Sequence, residues 1–182
     1  MQTLIEQDSL SDGELIDAAN AGDISSLETL YFRYRDWVVN LAFHFIADRD
    51  LALDVLQDTF LYFSKKFPGF QLTCQMKSFL YPVVKNLSLN SRNKARRYQP
   101  GEELFAKIEA AQPGNEAAED LRLAISSLPE AHREVVILRF LEEMSLAEIA
   151  AAVEVPIGTV KSRLHNALGM LRANPKIKSL FE

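Results

Sequence analysis

Apolar residues recur at intervals of three and four almost throughout this chain and nowhere alternate as a half-buried strand requires, so the pattern predicts helices. Ser11-Asp12-Gly13-Glu14 fits a capping box, in which the serine hydroxyl and the glutamate carboxylate satisfy backbone donors left orphaned at a helix start. A short helix follows through Ile16 and Ala19, stopping near Asn20-Ala21-Gly22-Asp23. A longer one begins at Ser25 or Ser26. It carries Leu27, Leu30, Tyr31, Tyr34, Val38, Leu41, Ala42 and Phe45 at helical spacing, and Trp37 with Phe43 widens the stripe enough to make it a central core helix. In the next helix, residues 48–67, Leu53, Leu56, Phe60 and Phe63 face inward while Asp54, Gln57 and Asp58 face outward; Pro68-Gly69 ends it. A loop over 70–77 leads to a fourth helix over 78–97. Proline costs about 3 kcal/mol inside a helix, so this one is expected to start near Ser78, with Pro82 in or next to its first turn.

The stretch after Tyr98, QPGEELFAKIEAAQPGNEAAED, has two Pro-Gly steps among acids and alanines, and reads as a flexible linker with room for one short helix at 104–110. Leu121, Ala124, Ile125 and Leu128 then resume a helix up to the break Leu128-Pro129-Glu130, and Val135, Val136, Leu138, Arg139 and Phe140 belong to the next. Ser145-Leu146-Ala147-Glu148 is a second capping box, opening a short helix to about Val153. Glu154-Val155-Pro156 breaks it because proline cannot continue an interior helix, yet proline suits the start of a new one at Pro156 or Ile157. Val160, Leu164, Ala167, Leu168 and Leu171 form that helix's docking stripe, and Thr159, Lys161, Ser162, Arg163, His165 and Asn166 occupy its other face. Lys and Arg suit phosphates and guanine edges, and Ser and Asn suit base edges generally. A basic face alone describes any solvated amphipathic helix. The capping box, short turn and proline-started second helix together predict a helix-turn-helix for a DNA major groove.

Composition narrows the remaining classes. With 182 residues, 48% of them hydrophobic, the chain can build one large or two small cores. Its one cysteine, Cys74, allows no intrachain disulfide, and His44, His132 and His165 are not spaced as metal ligands, so a metal-free cytoplasmic protein with no cofactor is expected. The first residues lack a basic region ahead of an apolar run, and no run approaches the ~18 residues of a membrane span, so neither export nor membrane insertion is expected. No grouping of nucleophile, base and orienting residue points to an enzyme.

The formal net charge of -5 is divided sharply along the chain. Residues 1–58 hold twelve acids against three Lys or Arg, 59–101 hold eight Lys or Arg and no acid, and 102–182 hold nine against thirteen acids. A second acid-free basic block, 156–181, covers the last helix. Local blocks, not the chain total, are what nucleic acid meets. Within the first block Phe70, Phe79 and Tyr81 can pack as core or stack on unpaired bases; core is the better reading for any one of them, and the acid-free cations beside them tilt the segment as a whole toward a single-stranded groove. The outward acids of residues 48–67, by spacing alone, describe a solvated face.

The segments DVLQDTFLYF and FLYPVVKNLSLNSRNKARR, followed by LPEAHREVVILRFLEEMSLAEIAAAVEVPIGTVKSRLHNAL, resemble the bacterial sigma-70 factors of the extracytoplasmic-function group over nearly the whole chain. The resemblance implies an all-α fold of two small helical domains, 1–97 and 116–182, joined by a linker over 98–115. It also implies a subunit without a catalytic centre that binds core RNA polymerase, recognises a promoter, helps melt it and is then released. Asp54, Gln57, Asp58 and Phe60 would dock on clamp helices of the largest polymerase subunit, with the flap of the second-largest as a further contact. Phe70, Lys77, Phe79, Tyr81, Asn86 and Asn90 would capture the melted strand of the minus-ten element, with Arg92, Lys94, Arg96 and Arg97 on phosphates nearby. Thr159, Lys161, Ser162, His165 and Asn166 would face the minus-thirty-five element, with Arg163 on a phosphate. Pro82 stands where the family has a helix-compatible residue and Asn166 where arginine is frequent. In the family an anti-sigma protein often holds the factor inactive. A conventional regulator binding duplex operator as a symmetric dimer is the competing reading.

Overall fold

In the computed structural model residues 9–98 and 116–175 are described, apart from the side chains of 96–98, 116–119 and 122. Among the described residues all regular structure is helical. The chain divides into two compact units, 1–108 and 109–182. The short helix expected at 104–110 lies outside the described residues.

In the first unit α1 is Asp12–Asn20, α2 Ile24–Ile46, α3 Arg49–Ser64 and α4 Met76–Tyr98. The expected capping box opens α1: Ser11 N–H donates to Glu14 Oε2 at 2.8 Å and Glu14 N–H to Ser11 Oγ at 3.3 Å. Asp23 caps α2 and Asp48 caps α3, each accepting from backbone N–H groups that have no intrahelical partner. α2 is the hub, packing on α1, α3 and α4, and α3 also packs on α4. Leu30, Val38, Leu41 and Ala42 of α2 meet Val55, Leu56 and Phe63 of α3 and Leu80, Tyr81 and Val84 of α4 in one fully buried core. Leu53, expected inward, is instead 44% exposed, because it sits beside Asp54 on the rim of α3 and not on the stripe of Ala52, Val55, Leu56, Thr59 and Phe63.

α4 begins at Met76, before Ser78, and Pro82 therefore falls in its second turn, inside the helix. A proline there cannot donate to the carbonyl four residues back. The turns on either side compensate by burial, with Met76, Ser78, Leu80, Tyr81 and Val84 each less than 5% exposed.

In the second unit α5 is Glu116–Ser127, α6 Glu130–Val136, α7 Leu146–Ala152 and α8 Ile157–Ala173. α6 passes into a π-helical turn at Ile137–Leu141, so the expected single helix through Phe140 changes its winding midway. α6 and α7 pack on α8, with Val135, Val136, Leu138, Met144, Ile149 and Ala152 buried against Val160, Leu164, Ala167 and Leu171. Among the described residues no helix is long and apolar enough to cross a membrane.

Candidate nucleic-acid interface

The helix-turn-helix is built by two local devices. Ser145 and Glu148 complete the second capping box, Ser145 N–H to Glu148 Oε2 at 2.8 Å and Glu148 N–H to Ser145 Oγ at 3.2 Å. α7 then ends before the proline and for a different reason from the one expected. Glu154 adopts a left-handed φ of 53°, and Val155 N–H donates back to Ala150 C=O at 3.1 Å, closing a Schellman motif. Pro156 follows as the N-cap of α8, its carbonyl accepting from Thr159 and Val160 N–H at 2.8 and 3.2 Å.

α8 buries Val160, Leu164, Ala167 and Leu171 and leaves Lys161, Ser162, His165 and Asn166 exposed. Spacings of three and four put those four side chains on one face. Thr159 and Arg163 are half-buried at its margins. Ser162 Oγ donates to Thr159 C=O at 3.0 Å, leaving its lone pairs to accept from a base or water.

The first unit presents two surfaces. On α3, Asp54, Gln57 and Asp58 are all exposed, while Phe60 is half-buried with its ring edge-on to Tyr31 at 4.9 Å. On α4, Asn86, Asn90 and Lys94 are exposed and four residues apart, hence one line along the helix. A groove of about 430 Å³ runs between the two, walled by Asp54 and Asp58 on one side and Asn90 and Lys94 on the other, over Leu51 and Leu87. The acidic surface and the amide-bearing surface are thus neighbours.

The loop before α4 differs from its expected form. Phe63, Phe67, Phe70 and Phe79 form an aromatic cluster with centroid separations from 4.9 Å (Phe70 to Phe79) to 5.9 Å (Phe63 to Phe79). Phe70 and Phe79 are half-buried and packed on one another, so they support the loop and are not open stacking platforms. Tyr81, expected at the melted strand, is 2% exposed beneath Phe45 and belongs to the core. Arg92, expected on a phosphate, is half-buried and donates through its guanidinium to Phe45 C=O at the end of α2, at 3.4 Å. Lys77 is half-buried with Nζ 5.7 Å from the Trp37 ring. The side chains of Arg96 and Arg97 lie outside the described residues.

Side chains that do project from the loop are Gln71, Thr73 and Gln75, all exposed, with Leu72 and Cys74 half-buried between them. The family resemblance points to the loop over 70–77 as a whole for strand capture and singles out none of these three. Partial burial raises the Cys74 thiol above its ordinary value. Among the described residues no three His, Cys, Asp or Glu side chains gather as a metal site.

Comparison with known proteins follows the same division. The sigma-70 region 2 family matches residues 30–98 and the sigma-70 region 4 family matches residues 118–171. The chain is 30% identical over 175 residues to the ECF RNA polymerase sigma-E factor of Salmonella typhimurium, covering 87% of this chain and 91% of that one. It is 24% identical over 170 residues to the ECF RNA polymerase sigma factor SigW of Bacillus subtilis, covering 83% and 89%. Among solved structures it resembles the sigma factor RpoE of Bartonella quintana, crystallised with the anti-sigma factor NepR, at 25% identity and a TM-score of 0.63 over 82% of this chain and 96% of that one.

Proposed function

The chain belongs to the extracytoplasmic-function group of sigma-70 factors, which recognise promoters and initiate transcription, and from that premise we propose how its residues divide the work. α8 reads the duplex upstream element through Lys161, Ser162, His165 and Asn166, with Thr159 and Arg163 at the flanking backbone. The loop over 71–75, with Asn86, Asn90 and Lys94 on α4, holds the opened strand of the minus-ten element. Asp54, Gln57 and Asp58 dock on the clamp helices of the largest polymerase subunit. The chain acts by binding alone, the polymerase supplying the chemistry, and it acts where polymerase works, in the cytoplasm.

One observation carries this reading: the helix-turn-helix shares its chain with a second helical unit that has its own acidic face and amide-bearing face beside each other. A dimeric operator-binding regulator has no use for that unit. Each DNA contact is modest, and a linker between them adds avidity through effective concentration. An anti-sigma protein is a further partner, supported by the Bartonella quintana sigma factor solved with one.

Run-off transcription with core RNA polymerase, with and without the chain, on templates randomised across both promoter elements tests the proposal. Transcripts that appear only with the chain support it; tight dimeric binding to duplex DNA without polymerase would sink it. Reversing the charge in an Asp54→Arg, Asp58→Arg double variant places like charges at the docking contact and costs several kcal/mol of core binding. Normal recovery of core polymerase in a pull-down with that variant removes the face from the docking site.

A further inference from the structure

Asn20, the last residue of α1, grips the loop fifty positions away. Its Oδ1 accepts from Gly69 N–H at 2.7 Å and Phe70 N–H at 3.1 Å, and its Nδ2 donates to Phe70 C=O at 2.8 Å. A loop outside any ladder must find partners for its backbone groups elsewhere, and a carboxamide offers acceptor and donor together in one plane. Gly69 has a left-handed φ of 97°, so the N–H groups of 69 and 70 converge on one acceptor only while that conformation holds.

The other end of α1 is fixed as firmly. Asp12 accepts from Arg33 Nη1 at 2.7 Å and from the Tyr34 hydroxyl at 2.5 Å, and Arg33 Nη2 reaches Leu10 C=O at 2.9 Å. α1 is therefore a strut, braced on α2 at its start and holding residues 69 and 70 at its end. The exposed Gln71, Thr73 and Gln75 project immediately beyond the held point.

Resting on the reading of that loop as the strand-capturing one, we infer that Asn20 is a positioning residue for promoter opening: through the backbone of Gly69 and Phe70 it sets where the 71–75 side chains meet an unpaired base. Asn20 itself touches no DNA. Loss of its three hydrogen bonds frees the loop without weakening α1, since alanine is the better helix former.

The sole cysteine of the chain lies inside the loop and reports on it directly. In the full-length chain, the rate at which Cys74 reacts with dithiobis(nitrobenzoate) measures how well the loop is held. Asn20→Ala is expected to raise that rate about tenfold, the scale of one to two net hydrogen bonds, with helix content and core-polymerase recovery unchanged. Run-off from the randomised duplex templates should fall by about the same factor. Templates mismatched to stay open across the minus-ten element should recover most of the loss. Asn20→Asp keeps the acceptor and loses the donor, and should fall between.

An unchanged thiol rate overturns the inference, because the loop is then held by something else. So does a faster thiol reaction with unchanged transcription, which reduces Asn20 to a structural bond, and so does an equal loss on open templates. A wild-type chain that directs no transcript from any template would refute the functional reading itself, a result no behaviour of the Asn20 variants can imitate.

Discussion

The two surfaces proposed to meet DNA are held by opposite means. On α8 the polar face is positioned by the helix it belongs to: Val160, Leu164, Ala167 and Leu171 dock the same helix whose other side carries Lys161, Ser162, His165 and Asn166. The loop over 67–75 has no such internal support. It is held by Asn20 from α1, Phe63 from α3 and Phe79 from α4. A helix carries its own scaffold within every four residues, whereas a loop borrows one from residues distant in sequence. Substitutions on the α8 face should therefore change DNA binding and little else, while the loop should be disabled by residues that never approach DNA.

The largest test of this contrast is Phe63→Ala. Phe63 is 1% exposed and lies at the centre of the cluster, touching Phe60, Phe67, Phe70 and Phe79. Truncating a buried phenylalanine costs about 3–5 kcal/mol, the lost transfer energy plus the cavity left behind. Denaturant unfolding should show that loss in the first unit. A loss below about 0.5 kcal/mol, the range of ordinary surface changes, would mean the loop is supported from elsewhere and the contrast fails.

The same contrast explains what could be read from the sequence. The helices, both capping boxes and the α8 face were legible, because each depends on residues within one or two turns. Asn20 was invisible: nothing near it in sequence marks a carboxamide that bonds a backbone fifty residues on. Tyr81 and Arg92 misled for a related reason. Their residue types suit stacking and phosphate binding, but α4 turns the first into the core and the second toward the end of α2. The local cost of Pro82 argues for a later helix start, but α4 begins at Met76, and the buried Met76, Ser78, Leu80, Tyr81 and Val84 hold the helix through the proline.

A substitution on the α8 face sharpens the other half of the comparison. Lys161→Ala should leave thermal unfolding unchanged, since the side chain is exposed and alanine favours the helix. Holoenzyme binding to the upstream element should weaken by about 1–3 kcal/mol if Lys161 meets a base edge, with little change in salt slope; if it meets phosphate the slope should fall by about one. Unchanged affinity and slope would remove Lys161 from the interface.

A smaller effect is expected at the cap. Ser145→Ala removes the acceptor for Glu148 N–H and should cost about 1 kcal/mol in the second unit. Ser11→Ala is its counterpart in the first unit. There the Ser11 hydroxyl, and after it the Ser11 N–H, hold the Glu14 carboxyl below its ordinary value of 4.5. The unfolded chain binds that proton more readily, so the contribution is complete above the ordinary value and is lost as pH falls through the lower folded one. An acid titration of stability should therefore flatten on that side in Ser11→Ala; an identical profile would dismiss the box as a stabilising feature.

The smallest change strikes at the turn that sets the angle between α7 and α8. Glu154 occupies the left-handed position of the Schellman motif, where a side chain crowds the following carbonyl and glycine does not. Glu154→Gly relieves that crowding but adds freedom to the unfolded chain, so the net gain should be only about 0.5–1 kcal/mol. The Val155 N–H to Ala150 C=O bond needs only the backbone and should survive, leaving α8 where it was. Thermal unfolding should rise slightly while promoter choice stays fixed. A destabilised variant would mean that the Glu154 side chain supports the turn, and the upstream reader would then depend, as the loop does, on a side chain outside the helix that reads.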